Sequence, residues 1–293
     1  MTRRPTLAVY LGIYVPVLIL ALGILYPLYY FALNSLNGGL VFGPAWLLAE
    51  DLTLRHYRII FGNGRVLDAF LMSVSRTVVG AAATVLTCAM CAFALRKREL
   101  PYRNLYLVLF TVPLFFSGGL IPIYLNLRAL GLLDRFAVYI LPNLFSFFYV
   151  IIFMAQFNQI PVSLEESARV DGAGYARVFR AIYLPISTPV IAVIALFAAV
   201  AQWGSWFDTA YFTRSDWLDT LQGVLVRVIK QANMGDFTTE AARTMVDEAN
   251  SHYLHPDGLQ FATMMVTIVP IVLAYPFLQR YFIKGILVGA VKE

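Results

Sequence analysis

Residues 161–189 read PVSLEESARVDGAGYARVFRAIYLPISTP, a polar interruption in an otherwise apolar chain, and the layout of the remainder follows from them. Ser163 followed three residues later by Glu166 has the spacing of a capping box, in which hydroxyl and carboxylate each satisfy an orphan backbone N–H, so a helix is expected to start there. Glu165 and Arg169 stand one turn apart as a favourable pair, while Leu164, Ser167 and Ala168 leave a low face that another surface can approach. Gly172, after Asp171, permits a turn that a residue with Cβ resists. A second amphipathic segment follows, with Tyr175, Phe179 and Ile182 on one side and Arg177 and Arg180 on the other. It is expected to end at Leu184-Pro185, because proline has no N–H to continue a helix.

The order Glu166-Ser167-Ala168, Asp171-Gly172-Ala173, Phe179, Ile182 and Leu184-Pro185 resembles the EAA loop of permease subunits in binding-protein-dependent ABC importers, in particular the carbohydrate branch to which the second maltose permease subunit belongs. That resemblance implies a cytoplasmic coupling helix docked on an ATP-hydrolysing subunit. Its contact residues would be Glu165, Glu166, Ser167, Ala168, Asp171, Gly172, Ala173, Tyr175 and Phe179. Ser167 departs from the commoner alanine but keeps the side chain small. The alternative reading of the same stretch is an amphipathic helix lying on the membrane surface.

Outward from the loop, the chain has the composition of an integral membrane protein. Of its 293 residues 60% are hydrophobic and 13% charged, and the mean hydropathy is +0.71. Six all-α spans are expected at about residues 8–33, 69–95, 105–127, 136–157, 186–207 and 259–282, with the coupling loop at 161–185 between the fourth and fifth. External loops would occupy 34–68 and 208–258, the latter holding a short amphipathic helix around Leu221, Leu225 and Val228. The first apolar run is too long for a signal peptide and is read as an uncleaved span. Both termini would then be cytoplasmic, in a bacterial inner membrane. The pieces assigned to the cytoplasm carry twelve basic and five acidic residues and the rest of the chain ten and twelve, so the net charge segregates with the expected sign, although the orientation rule itself counts Lys and Arg near spans and gives acidic residues little weight.

Several chemistries find no support. There is no phosphate-binding loop, so ATP and Mg²⁺ would belong to partner subunits and this chain would bind no cofactor of its own. The three histidines, His56, His252 and His255, lack metal-ligand spacing and are read as solvated or hydrogen-bonded. Cys88 and Cys91, at i,i+3 in an apolar run, are read as small packing residues rather than a redox or metal pair. No nucleophile elbow suggests a hydrolase, and the net charge of +5 reports topology rather than nucleic-acid binding. Intramembrane charge is limited to Arg76 and Asp208, both placed near an interface, which disfavours the alternative of an ion-coupled secondary carrier.

For substrate contact the third span is the first candidate. Its stretch VPLFFSGGLIPIYL carries Pro113, Gly118, Gly119 and Pro122, and broken backbone at membrane depth is tolerated only against protein or a water-filled path. Asn143, Tyr149, Gln202, Trp203 and Trp206 add polar and aromatic groups suited to sugar hydroxyls and C–H faces, although interfacial belt or packing roles fit the tryptophans equally. The FFSGGLIP segment is also similar to that of carbohydrate permeases serving complex or acidic oligosaccharides such as alginate fragments. The partners implied are a second homologous permease, an ATPase dimer, an extracytoplasmic solute-binding protein, the oligosaccharide and membrane lipid.

Overall fold

The computed structural model describes residues 7–38, 52–62, 64–234 and 258–273. Among these residues the regular structure is helical, apart from an isolated antiparallel bridge between Asn37 and Leu52. The protein is thus an all-helical integral membrane protein, as composition requires. In chain order the helices are α1 (Leu7–Ser35), α2 (Arg55–Gly62), α3 (Gly64–Arg96), α4 (Arg103–Phe115), α5 (Leu120–Ala129), α6 (Ala137–Ile140) and α7 (Phe147–Phe157). They continue with α8 (Val162–Val170), α9 (Tyr175–Val178), α10 (Leu184–Ile186), α11 (Thr188–Gly204), α12 (Phe207–Phe212), α13 (Leu221–Met234) and α14 (Gly258–Leu273). Among the described residues two helices, α1 and α3, are long and apolar enough to cross a bilayer by themselves, and four segments qualify when each bent pair counts as one span.

The difference from six uninterrupted spans has local causes. The third expected span is two helices separated at residues 116–119, where Gly119 has φ +79°, a conformation that glycine adopts without strain. The fourth is bent by 56° between residues 137–143 and α7, at a 3₁₀ turn (Leu141–Asn143) containing Pro142. The fifth is the continuous helix α11, entered through an 84° bend at Ser187 that separates it from residues 175–186. Here the helix does not stop at Leu184-Pro185. A wide π turn at Phe179–Tyr183, with the Leu184 N–H donating to the Phe179 carbonyl, leads into α10, and this opened backbone accommodates the proline that has no N–H to give. The last span is described only to residue 273. The remainder of that span, the C-terminal tail, residues 39–51 and 235–257 of the external loops, His252 and His255 all lie outside the described residues.

Two units divide the chain, residues 1–67 with 225–269 and residues 68–224 with 270–293. In the first, α1 is apolar on every side and most side chains of residues 12–29 are exposed, as expected of a helix whose neighbours are lipid or another chain, while the Tyr30 and Phe31 rings pack on Phe261. Its end is pinned by polar contacts: Ser35 Oγ shares a 2.7 Å hydrogen bond with the Tyr57 hydroxyl, and His56 Nδ1 donates to the Ser35 carbonyl at 3.1 Å. Of the two sequence expectations, solvated or hydrogen-bonded, His56 meets the second, and it is buried rather than in open solvent.

The second unit holds the larger core. Cys88, Ala89, Ala92 and Leu95 line one face of α3, and Phe147, Val150, Phe153 and Phe157 of α7 pack with them, joined by Val178, Phe179, Tyr183 and Ile194. Small residues on α3 let aromatic rings approach, which matters because in lipid helix association rests on close packing rather than on expulsion of water. Both cysteines are unbridged, and Cys88 Sγ accepts from the Ser146 N–H at 3.5 Å and donates to the Ser146 carbonyl at 3.6 Å, tying α3 to the start of α7.

Candidate functional site

The loop between α7 and α11 is built on α8. This helix begins at Val162 with Pro161 as its cap and has no side-chain capping bond, so the Ser163–Glu166 capping box does not form. Pro161, with φ −57°, supplies the helix entry itself and places Ser163 already inside the first turn. Glu165 also departs from expectation. Instead of pairing with Arg169 on the surface it turns inward, where Oε2 accepts from Arg96 Nη1 at 3.3 Å and from the Tyr183 hydroxyl at 3.0 Å, and Oε1 accepts from Lys97 Nζ. Arg96 further donates to the Tyr183 hydroxyl and, through Nη2, to the Ile160 carbonyl at 3.1 Å. A shielded carboxylate facing two cations gains more than an exposed helical pair, which is screened by solvent. Burial pushes the Glu165 carboxyl upward, but the Lys97 and Tyr183 hydrogen bonds and the charges of Lys97 and Arg96 outweigh it and hold it below the usual range. Arg169 instead lies over the Tyr175 ring at 5.1 Å.

On the outer face Glu166, Ser167, Asp171, Gly172 and Tyr175 are exposed, Ala168 and Ala173 are half-buried, and Phe179 is buried with its ring 5.3 Å from that of Phe93. Phe179 thus belongs to the support behind the loop rather than to its docking face. Between α8 and α9 the backbone closes in a Schellman turn: the Ala173 N–H donates to the Ala168 carbonyl at 2.9 Å and the Gly172 N–H to the Arg169 carbonyl at 3.0 Å. Gly172 sits at φ +81°, so its lack of Cβ is a conformational requirement even though the space around it is open. The product is a rigid, outward-facing corner tied from behind to the foot of α3.

The residues expected along a substrate path separate into two groups. Gly118 and Gly119 are exposed at the break between α4 and α5, beside Phe115 and Phe116 at 77% and 73% exposure, and Asn143 is exposed at the bend before α7. Trp206 is partly exposed next to Phe207 and Tyr211. Tyr149, by contrast, is half-buried against the larger core, Trp203 is buried edge-on to Phe70 at 6.0 Å, and Gln202 is buried.

Gln202 belongs to a polar knot that the sequence did not reveal. Arg76, its side chain fully buried, donates through Nη2 to Asp208 Oδ2 at 2.7 Å, through Nε and Nη2 to Gln202 Oε1 at 3.2 and 3.1 Å, and through Nη1 to the Ser205 carbonyl at 3.2 Å. Its guanidinium also lies 4.3 Å from the centre of the Tyr139 ring. Ser205 Oγ donates to Asp208 Oδ2 at 2.9 Å, and Gln202 Nε2 donates to the Tyr139 carbonyl at 3.1 Å. A Cβ at Gly80 would come within 2.6 Å of the Gln202 side chain, so glycine there is what lets α11 close on α3. The available signal was a pair of lone opposite charges in apolar runs; their pairing joins residues 132 positions apart. Among the described residues no group of three or more His, Cys, Asp or Glu is arranged to hold a metal.

Comparison with known proteins supplies the context for this geometry. Residues 84–288 match the family described as binding-protein-dependent transport system inner membrane component. The chain is 36% identical to Protein LplC of Bacillus subtilis (strain 168) over 84% of its own length and 81% of the relative's. It is 34% identical to the polygalacturonan/rhamnogalacturonan transport system permease protein YtcP of the same organism, over 84% of each. In structure it is similar, with a TM-score of 0.84 and 26% identity over 96% of this chain and 100% of the other, to a chain in the crystal structure of a bacterial ABC transporter involved in the import of the acidic polysaccharide alginate.

Proposed function

Because the chain belongs to the family of binding-protein-dependent transport system inner membrane components, we propose that it is the permease subunit of an ATP-driven importer that takes oligosaccharides from an extracytoplasmic binding protein into the cytoplasm. Relatives named for polygalacturonan and alginate, both acidic polysaccharides, support acidic oligosaccharides as the preferred class. The observation that carries the reading is the α8–α9 corner, exposed outward at Glu166, Ser167 and Gly172 and fastened inward by Glu165.

In this reading six spans surround the path and both termini lie in the cytoplasm. A second homologous permease completes the path, and two ATPase subunits bind the corners of the two permeases. Closure of the ATPase dimer on ATP pushes the corner, and the contacts of Glu165 pass the displacement to α3 as one body. Gly118, Gly119, Asn143 and Trp206 face the sugar, while Tyr149, Gln202 and Trp203 support the wall from behind. The chain itself hydrolyses nothing; ATP and Mg²⁺ are held by its partners.

The test is uptake of a labelled oligogalacturonide into proteoliposomes containing the complex with its co-encoded partners. Uptake should require ATP on the ATPase side and the binding protein on the other, and should persist when ionophores collapse proton and sodium gradients. Gradient-dependent uptake without ATP would replace this reading with that of an ion-coupled secondary carrier, for which a buried charged pair within spans would be the working element.

A further inference from the structure

We infer that Trp206, Phe207 and Tyr211 form an aromatic subsite that stacks on a sugar ring of the transported oligosaccharide, and that Arg76 is the residue positioning it. This rests on the importer reading above and names a binding element within it.

The backbone leaves helical geometry between α11 and α12, with Ser205 at φ −76° and ψ 116°. Arg76 holds this break from both sides. It binds Gln202 before the break, the Ser205 carbonyl within it and Asp208 after it. Burying a guanidinium and a carboxylate in an apolar span costs solvation that a continuous helix would not incur, and such groups in membrane proteins mark function by default. Directly after the break, three rings lie together and partly exposed. Trp206 and Phe207 have centroids 6.1 Å apart, Trp206 and Tyr211 6.3 Å, and Phe207 and Tyr211 4.7 Å. They are 37%, 37% and 44% exposed, while Phe212 and Tyr139 behind them are buried.

Trp and Tyr also gather in interfacial belts, but a belt needs only the depth of the rings and not a backbone fixed through three hydrogen-bonded points. A sugar ring does need fixed, flat partners, because its C–H faces gain most against rings already held in place. The position agrees. Arg76 and Arg96 lie twenty residues apart on the single helix α3, which at 1.5 Å per residue puts the aromatic cluster on the order of 30 Å from the coupling corner, at the end of the span where substrate arrives.

The experiment uses the full complex in liposomes with fluorescent oligogalacturonide, reading molecules imported per ATP hydrolysed together with the half-saturating concentration. Trp206→Ala and Tyr211→Ala should each lower the imported-per-ATP ratio at least fivefold, and Trp206→Phe should recover most of it whereas Trp206→Leu should not. Arg76→Lys keeps a positive charge beside Asp208 but cannot span Gln202 and Ser205, and should give the Trp206→Ala pattern in complex that purifies in normal yield. A wild-type ratio in Trp206→Ala, or recovery by Leu as complete as by Phe, would show that the rings face lipid and overturn the subsite. Absence of ATP-driven uptake in the wild-type complex would overturn the importer reading instead.

Discussion

The two charged knots of this protein combine carboxylates and cations in different proportions. At the foot of α3 one carboxylate, Glu165, faces two cations, Arg96 and Lys97, with a tyrosine hydroxyl between them. Inside the spans one guanidinium, Arg76, faces a single carboxylate, Asp208, with an amide and a backbone carbonyl taking its remaining donors. Exposure explains the difference. Lys97 keeps 20% of its side chain in contact with the surroundings, so an excess positive charge is stabilised by solvent and lipid headgroups. Arg76 has none and Asp208 11%, so the inner knot is neutral and nearly every donor is used. The first arrangement suits a joint that transmits a push; the second suits one that holds a fixed geometry.

The largest effect should come from breaking neutrality in the inner knot. Arg76→Ala leaves Asp208 buried without its counter-charge, which costs about 3–5 kcal/mol. The complex should purify in low yield with a markedly lowered melting temperature. Arg76→Met with Asp208→Leu should recover most of that stability while leaving transport impaired. Equal stability of the Ala variant and wild type would mean that the knot is not a neutral pair.

Next is the outer joint. Glu165→Gln removes the ionic part of three contacts, an expected loss of about 1.5–3 kcal/mol. Because the Glu165 carboxyl is held below its ordinary value of 4.5, the stabilisation is complete at neutral pH and is lost as pH falls below that value through the lowered one. Melting curves taken from about pH 6 to about pH 3 should therefore show an acid limb that flattens in Glu165→Gln. An unchanged limb would assign the acid sensitivity to other carboxylates.

Gly172→Val should cost about 1–2 kcal/mol at the positive φ, and β-branching makes the alternative turn the easier outcome. Since this misplaces the corner without touching the path, hydrolysis should continue while uptake falls. Uptake equal to wild type would refute the coupling role of the turn.

The smallest effect is expected at a carboxylate that has no cation as a hydrogen-bond donor. Asp134, at φ +56°, accepts from the Arg214 and Ser215 N–H groups at 2.9 Å each and from Ser215 Oγ at 2.6 Å, and these bonds hold it below the usual carboxylate range. Asp134→Asn should leave uptake intact and raise only the protease sensitivity of residues 213–219.

Legibility in the sequence followed the range of the interaction. At the corner, the turn at Gly172 and the small side chains of Ser167 and Ala168 needed only neighbours in the chain, whereas Glu166 and Asp171 were singled out by the family resemblance; the break at Gly118-Gly119 followed from backbone preference. The amphipathic pattern around Leu221 likewise became α13. Glu165 was misread because its partners Arg96 and Lys97 come from another helix, and a local pair with Arg169 was the best that spacing offered. Ser163 lost its capping role to Pro161, a competition between two adjacent helix-entry signals. Arg76 and Asp208 were visible as isolated charges, but pairing across 132 residues is tertiary information that no window of sequence holds.

The most direct test of the central claim is ATP hydrolysis by the complete complex in lipid, with its binding protein loaded with acidic oligouronides or with neutral maltodextrins. The account predicts hydrolysis stimulated by the loaded binding protein, more strongly with the oligouronide, and no net import in Gly172→Val. A complex that never carries an ATPase, or hydrolysis indifferent to the loaded binding protein, would contradict it.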